Sequence, residues 1–419
     1  MDRFFLLMCA SIGMVVLIGF FNEKVTRLPN EIALMLFATI VGCVITVVWS
    51  GIRNMSVKEL LDNIQVFNLE KFLLHGVLCF MLFAGSCHLR LNEFVRHARQ
   101  VGVLAFFCTL VGALLYGMLF YLISLLTPFK LPLPVCLMFG SIIAPTDPIA
   151  ATSILRKFGL PKHTGFLMEA ESLLNDGVGV ALFVFFSGML GAGSAPRFLV
   201  VMVREIFGAL LIGSAVMGLC WQIFCRTEDV HRKIFVSLFA VSLSYLLCEA
   251  AGCSGPIACV AAGICFSTLR ERAELRQQVD DLELFNDFWE TLDVFFNSLL
   301  YVMLGLSFMR IMQMPRIALL SLVAVLLNLV SRFGSLWLGT WLLGPLPDGY
   351  DRMRFSTLFT WGGLRGGLSV ALAMSTAALL DSEHYFILLG STYAIVFFTT
   401  VVQGLTVRRV YNRLSAQIR

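Results

Sequence analysis

Charge is the first thing this sequence has little of. Only 14% of its 419 residues are Asp, Glu, Lys or Arg, against about 25% in soluble globular domains. No basic run interleaved with aromatics offers a surface for nucleic acid. The twelve cysteines contain no CxxC pair, and most lie inside apolar stretches (Cys43, Cys79, Cys108, Cys136, Cys248, Cys259). They read as small membrane-helix residues, not as a zinc site or a disulfide framework. The six histidines lie mostly near the ends of apolar stretches and show no metal-ligand spacing. Gly362 to Gly367 follows no strand and is not a nucleotide-binding loop. The ~10-residue alternating segments of a membrane barrel are missing too. No cofactor is expected.

What is abundant is apolar: 58% of positions are hydrophobic. Apolar stretches of about 20 residues recur, long enough to cross a ~30 Å hydrocarbon layer, with charge collected between them. The expected fold is therefore all-α, a polytopic membrane protein of about thirteen helices. The segments are 4–22, 29–49, 70–89, 100–126, 132–155, 164–192, 198–225, 234–251, 254–269, 287–309, 315–343, 355–379 and 384–407. The first has one basic residue before its apolar run and no small-residue cleavage pattern after it, so it reads as a span and not as a secretory signal. With the amino end outside, the inside segments hold twenty Lys and Arg and the outside segments eight. This matches the positive-inside rule and places the carboxyl end in the cytoplasm of a cell membrane.

Thirteen divides as six, a connector at 197–226, and six, which makes the two sets inverted repeats, a common transporter plan. The fifth helix carries Ala144 to Pro148 (APTDP) and the twelfth carries Trp361 to Gly367 (WGGLRGG). Pro145 and Pro148 remove two backbone donors and clash with the preceding turn, and four glycines loosen the twelfth helix at the matching place. Broken helices crossing at the midplane are expected, since interruptions at matching positions of two halves point to a transport site.

Ionisable residues sit at both breaks and in the sixth helix. Glu171 and Asn175 share one face of that helix, and Ser172 and Asp176 share the adjoining one. Asp147, Asp176 and Arg365 fall near mid-span, where an unpaired charge costs roughly 2.5–3.5 kcal/mol or more. Each should have a partner or a wet cavity. Arg332, Glu249 and Asp293 read as simple ties between helices.

These stretches, with FFNSLLYVMLGLSF as a looser match, resemble the sodium/proton antiporters of the electroneutral branch of the cation/proton antiporter superfamily, relatives of animal sodium/proton exchangers. The matches are SIIAPTDPIAA, EAESLLNDGVGVALF and TLFTWGGLRGGLSVALAMS, in the family's order. No extended regulatory tail is expected beyond about Arg408. The resemblance implies that Asp176 binds cation and proton in turn, with Ser172 and the Thr146 carbonyl as further sodium ligands and Glu171 nearby. It implies that Arg365 pairs with Glu171, that Asp147 faces the broken-helix ends and holds Asn175, and that Asn175 stands where electrogenic relatives carry a second aspartate. Helices 1–3 and 8–10 (about 1–90 and 231–312) would form a scaffold and homodimer contact. Helices 4–6 and 11–13 (about 98–193 and 315–412) would form the moving ion-transporting core.

The physical chemistry agrees with these roles. Sodium prefers oxygen ligands, and partial desolvation favours a protonated carboxylate, so that proton and cation compete for one site. If only Asp176 changes its load, one sodium exchanges for one proton. A potassium-selective or broad-specificity antiporter, taking lithium as well, stays open, because cavity size and rigidity decide cation preference. A channel would need a continuous pore, and an enzyme would need a nucleophile or metal set that these mid-depth carboxylates lack.

Overall fold

A computed structural model describes residues 3–52, 76–89, 91–147, 149–191, 200, 204–275, 282–307 and 315–415. Those residues are almost entirely helical, and one isolated bridge, Asp147 to Leu364, is their only β pairing. The helices are α1 (Arg3–Phe21), α2 (Asn30–Ile52) and α3 (Leu78–Ser86), then α4 (Ala98–Leu125), α5a (Leu133–Ile143) and α5b (Ile149–Lys157). Next come α6 (Lys162–Gly191), α7 (Arg204–Arg226), α8 (Val230–Ala250), α9 (Gly255–Leu275), α10 (Glu283–Ser307) and α11 (Pro315–Leu343). The chain ends with α12a (Arg352–Gly362), α12b (Gly367–Ser375) and α13 (Ser382–Ser415). Seven of the described helices are by themselves long and apolar enough to cross a membrane.

The expected 132–155 and 355–379 segments are each two helices with a non-helical gap. In the first, Pro145 cannot donate to the ladder and Ala144–Asp147 leave the helix; Pro148 lies outside the described residues. In the second, the chain leaves the helix at Gly363, and Gly366 is extended (φ −109°, ψ −166°) before α12b begins. The expected 70–89 span is described from residue 76 onward, and 70–75 lie outside the described residues.

Polar side chains cap the amino ends of two helices at the surface. Asp229 accepts from the backbone N–H of His231 to start α8, and Asp351 accepts from that of Arg354 at 2.7 Å to start α12a.

Packing follows small residues. A Cβ on Gly140 of α5a would lie 2.0 Å from the Ala113 carbonyl oxygen of α4, and one on Gly179 of α6 would lie 2.5 Å from Pro145 Cγ. Glycine lets α4, α6 and the broken fifth helix touch at backbone distance. α2 packs against α10, α3 against α9, and α8 against α9, while α4, α5a, α6, α11, α12 and α13 pack among themselves. The larger core is filled by aromatics such as Trp289, Phe83, Phe120, Phe139 and Phe266.

Candidate functional site

A break in a membrane helix frees backbone groups that lipid cannot satisfy, so each needs a partner. The gap between α5a and α5b finds its partners in side chains and in the other gap. Arg365 donates through Nη1 to the Ala144 and Pro145 carbonyls at 2.6 and 2.9 Å. Asn175 accepts from the Thr146 N–H at 3.2 Å and donates to Thr146 Oγ1 at 2.7 Å. Ser172 Oγ donates to the Thr146 carbonyl, and the Asp147 N–H donates to the Leu364 carbonyl at 2.7 Å. The two gaps therefore meet in an antiparallel crossing, as expected.

Arg365 is itself clamped. Its Nη2 donates to Asn328 Oδ1 at 3.0 Å, its backbone N–H donates to Thr399 Oγ1 at 3.0 Å, and Thr400 Oγ1 donates to its carbonyl at 3.4 Å. Thr399 and Thr400 lie in a π-helical turn of α13, Phe398–Gln403. Such single-turn π-bulges occur often at functional sites.

On the other side of the crossing lies a cavity of about 550 Å³. Asp176, Ser172, Thr146 and Asp147 line its floor, and Arg156, Glu169, His88 and Glu290 line its mouth. Arg156 and Glu169 form an ion pair at 2.7 Å, with Arg156 exposed. The cavity thus runs from the end where α5b joins α6 down to Asp176. The Asp176 carboxylate is half-buried there and accepts no hydrogen bond from the described residues. Ser172 Oγ and the Thr146 carbonyl, in contact with each other, line the same cavity. Carboxylate, hydroxyl and carbonyl oxygens are the donors a hard monovalent cation takes.

Two expected pairings change. Glu171 pairs with Arg332 of α11, Nη2 to Oε1 at 2.5 Å with both side chains buried, and not with Arg365. The fork of Arg365 is spent on helix-end carbonyls, whose partial charge replaces a carboxylate. Glu171 therefore turns away from the cavity, against the expectation that it sits among the sodium ligands. The Asn175 side chain bonds to Thr146 and not to Asp147, because Thr146 supplies the freed N–H. The Asp147 carboxylate accepts instead from the Tyr301 hydroxyl at 2.9 Å.

Sequence reasoning missed Arg332 as the partner of Glu171, and Asn328, Tyr301 and Thr399 as supports. Tyr301 lay in the looser match and carried a signal. Asp293, read as a tie between helices, lines the cavity and among the described residues bonds only to Asn297 of its own helix, at 3.1 Å. Glu249 caps the next helix by accepting from the Gly255 N–H at 3.2 Å.

Comparisons with known proteins show the family and the fold. A family model described as the transmembrane sodium/hydrogen exchanger matches residues 12–413. The Na(+)/H(+) antiporter NhaP of Pseudomonas aeruginosa is 30% identical, over 98% of this chain and 97% of that protein. The Na(+)/H(+) antiporter NhaH of Halobacillus dabanensis is 27% identical, over 98% and 96%. The solved structure of the sodium proton antiporter MjNhaP1 from Methanocaldococcus jannaschii at pH 8 matches with a TM-score of 0.76 over 98% and 99% of the two chains, at 18% identity, which is a likeness of fold. By its family model and by the relatives it matches end to end, this chain belongs to the sodium/hydrogen exchanger family of multi-spanning membrane transporters.

Proposed function

We propose that this protein exchanges one sodium ion for one proton at Asp176 by alternating access. The observation that carries the reading is the state of the mid-span charges. Glu171 and Arg332 are tied to each other, Arg365 is held by two carbonyls and Asn328, and Asp147 accepts from Tyr301, while Asp176 faces a cavity beside two further oxygen ligands. A group already locked in a pair cannot change its load without breaking that pair. Asp176 can.

In the cation-loaded form, sodium sits on the Asp176 carboxylate, Ser172 Oγ and the Thr146 carbonyl, displacing the Ser172-to-Thr146 hydrogen bond. In the proton-loaded form the carboxylate is neutral and that bond re-forms. Each form carries one positive charge to the same site, so a full cycle moves no net charge. Asn175, neutral, holds the α5 gap and adds no second titrating group. The cavity opens on the side where α5b joins α6, which the distribution of Lys and Arg makes the cytoplasm. The movement is that of the α4–α6 and α11–α13 set against the α1–α3 and α8–α10 set, and the protein acts as a homodimer.

The test is dye dequenching in proteoliposomes or everted vesicles holding a pH gradient. Added sodium should collapse the gradient in the parent protein and not in Asp176→Asn. A variant that still exchanged would sink the assignment. Parallel lithium and potassium additions rank the cations, and potassium outranking sodium would favour a potassium/proton antiporter. A rate that changes under a clamped membrane potential would refute one-for-one exchange.

A further inference from the structure

Besides Asp176 and Asp147 the cavity has a third carboxylate at mid-span, Asp293, and nothing in the proposed exchange uses it. α10 presents Glu290, Asp293, Asn297 and Tyr301 at spacings of three, four and four, which is one face of a helix. Glu290, Asp293 and Asn297 line the cavity, and Tyr301 donates to Asp147 at its floor. At 1.5 Å per residue, Glu290 to Tyr301 covers about 16 Å from mouth to floor. Asp293 is the charged step between those two levels.

A structural tie should join two helices, but the one bond of Asp293, Asn297 Nδ2 to its Oδ1 at 3.1 Å, stays within α10. No described Lys or Arg pairs with it. The groups facing it are mostly acidic: Asp147 and Asp176 at the floor, Glu169 of α6, Glu290 of its own helix, and Glu31 on the packed helix α2. Of the basic groups nearby, Arg156 is held by Glu169, Arg270 of α9 is held by Glu274 and by Asn286 of α10, and His88 stands at the mouth. A carboxylate kept at that depth without a cation partner among the described residues is costly and points to the ion pathway.

We infer that Asp293 is a specificity-determining residue for the exchange, a carboxylate on the access path that draws the cation toward Asp176 and loses that pull when it is protonated. It therefore sets the apparent sodium affinity and how that affinity falls with acid, while Asp176 carries the exchange. This rests on the exchange reading above.

The experiment measures sodium-dependent dequenching in proteoliposomes from about pH 6 to 9 for the parent, Asp293→Asn and Asp293→Glu. The expected result for Asp293→Asn is an apparent KM for sodium raised roughly three- to ten-fold, the scale of one charge acting through a hydrated cavity, with kcat falling less than about two-fold. The parent's KM should rise as pH falls more steeply than the variant's, and Asp293→Glu should restore both. An unchanged KM and pH profile in Asp293→Asn would overturn the inference, as would a loss of kcat alone. Sodium-induced thermal stabilisation in detergent, read for all three proteins, supplies a second measure: its midpoint should shift upward only in Asp293→Asn. That readout decides the role of Asp293 even if the parent exchanged no protons, in which case the function reading would fall by itself.

Discussion

At the residue scale, the two buried arginines do different work. Arg332 neutralises Glu171, and the pair is closed off from solvent at 2.5 Å. Removing one partner leaves a buried charge, which costs about 3–5 kcal/mol, whereas replacing both partners costs far less. Arg332→Met should therefore lower thermal stability sharply, and Glu171→Gln with Arg332→Met should recover most of it; a double variant as unstable as the single one would contradict the pairing. Arg365 serves geometry. Its fork bonds to two carbonyls and the Asn328 amide at once, and a lysine ammonium cannot reproduce that planar set. Arg365→Lys should lose exchange by about ten-fold or more, ~1.4 kcal/mol in the transition state. Sodium-driven dequenching close to the parent's would show that the fork is dispensable.

At the element scale, the crossing is built from helices that are broken or closely approached, and both features have side-chain signatures of unequal clarity. Pro145 and the glycines around Arg365 announced the breaks. Only the structure shows that a Cβ on Gly140 would meet the Ala113 carbonyl, while one on Gly102 of α4 would have nothing within 4 Å. Gly140→Ala should cost about 1–3 kcal/mol through overpacking. Gly102→Ala should be neutral or stabilise by about 0.5–1 kcal/mol through helix propensity. Melting temperatures of the two single variants in one detergent check this contrast, which fails if both move alike. The π-helical turn that brings Thr399 to the Arg365 N–H had no readable periodicity at all.

At the scale of the whole molecule, the cavity of about 550 Å³ reaches the crossing. Met81 of α3 lines it and is half-buried. In a background with the native cysteines replaced, Met81→Cys should react with a membrane-impermeant maleimide from the side carrying the connection between α5b and α6, and sodium should slow the reaction. Labelling only from the opposite side would reverse the orientation drawn from the positive charges. The fold class was legible because lipid demands long apolar helices, and the meeting of the two broken helices was legible because helix breaks and mid-span charges are both rare in that solvent.

What the sequence determined by itself is what depends on a residue and its neighbours in the chain. A proline removes its own hydrogen bond, a four-residue spacing shares a face, and a charge in an apolar run demands compensation. Asp147, Ser172, Asn175, Asp176 and Arg365 were found that way, and all of them meet at the crossing. The partner of each charge was decided only by the tertiary structure, because helical periodicity tells which face a side chain occupies and not which helix stands opposite. Arg332 instead of Arg365 faces Glu171 for that reason, and Asp293 lines the cavity beside Asp176 for the same reason.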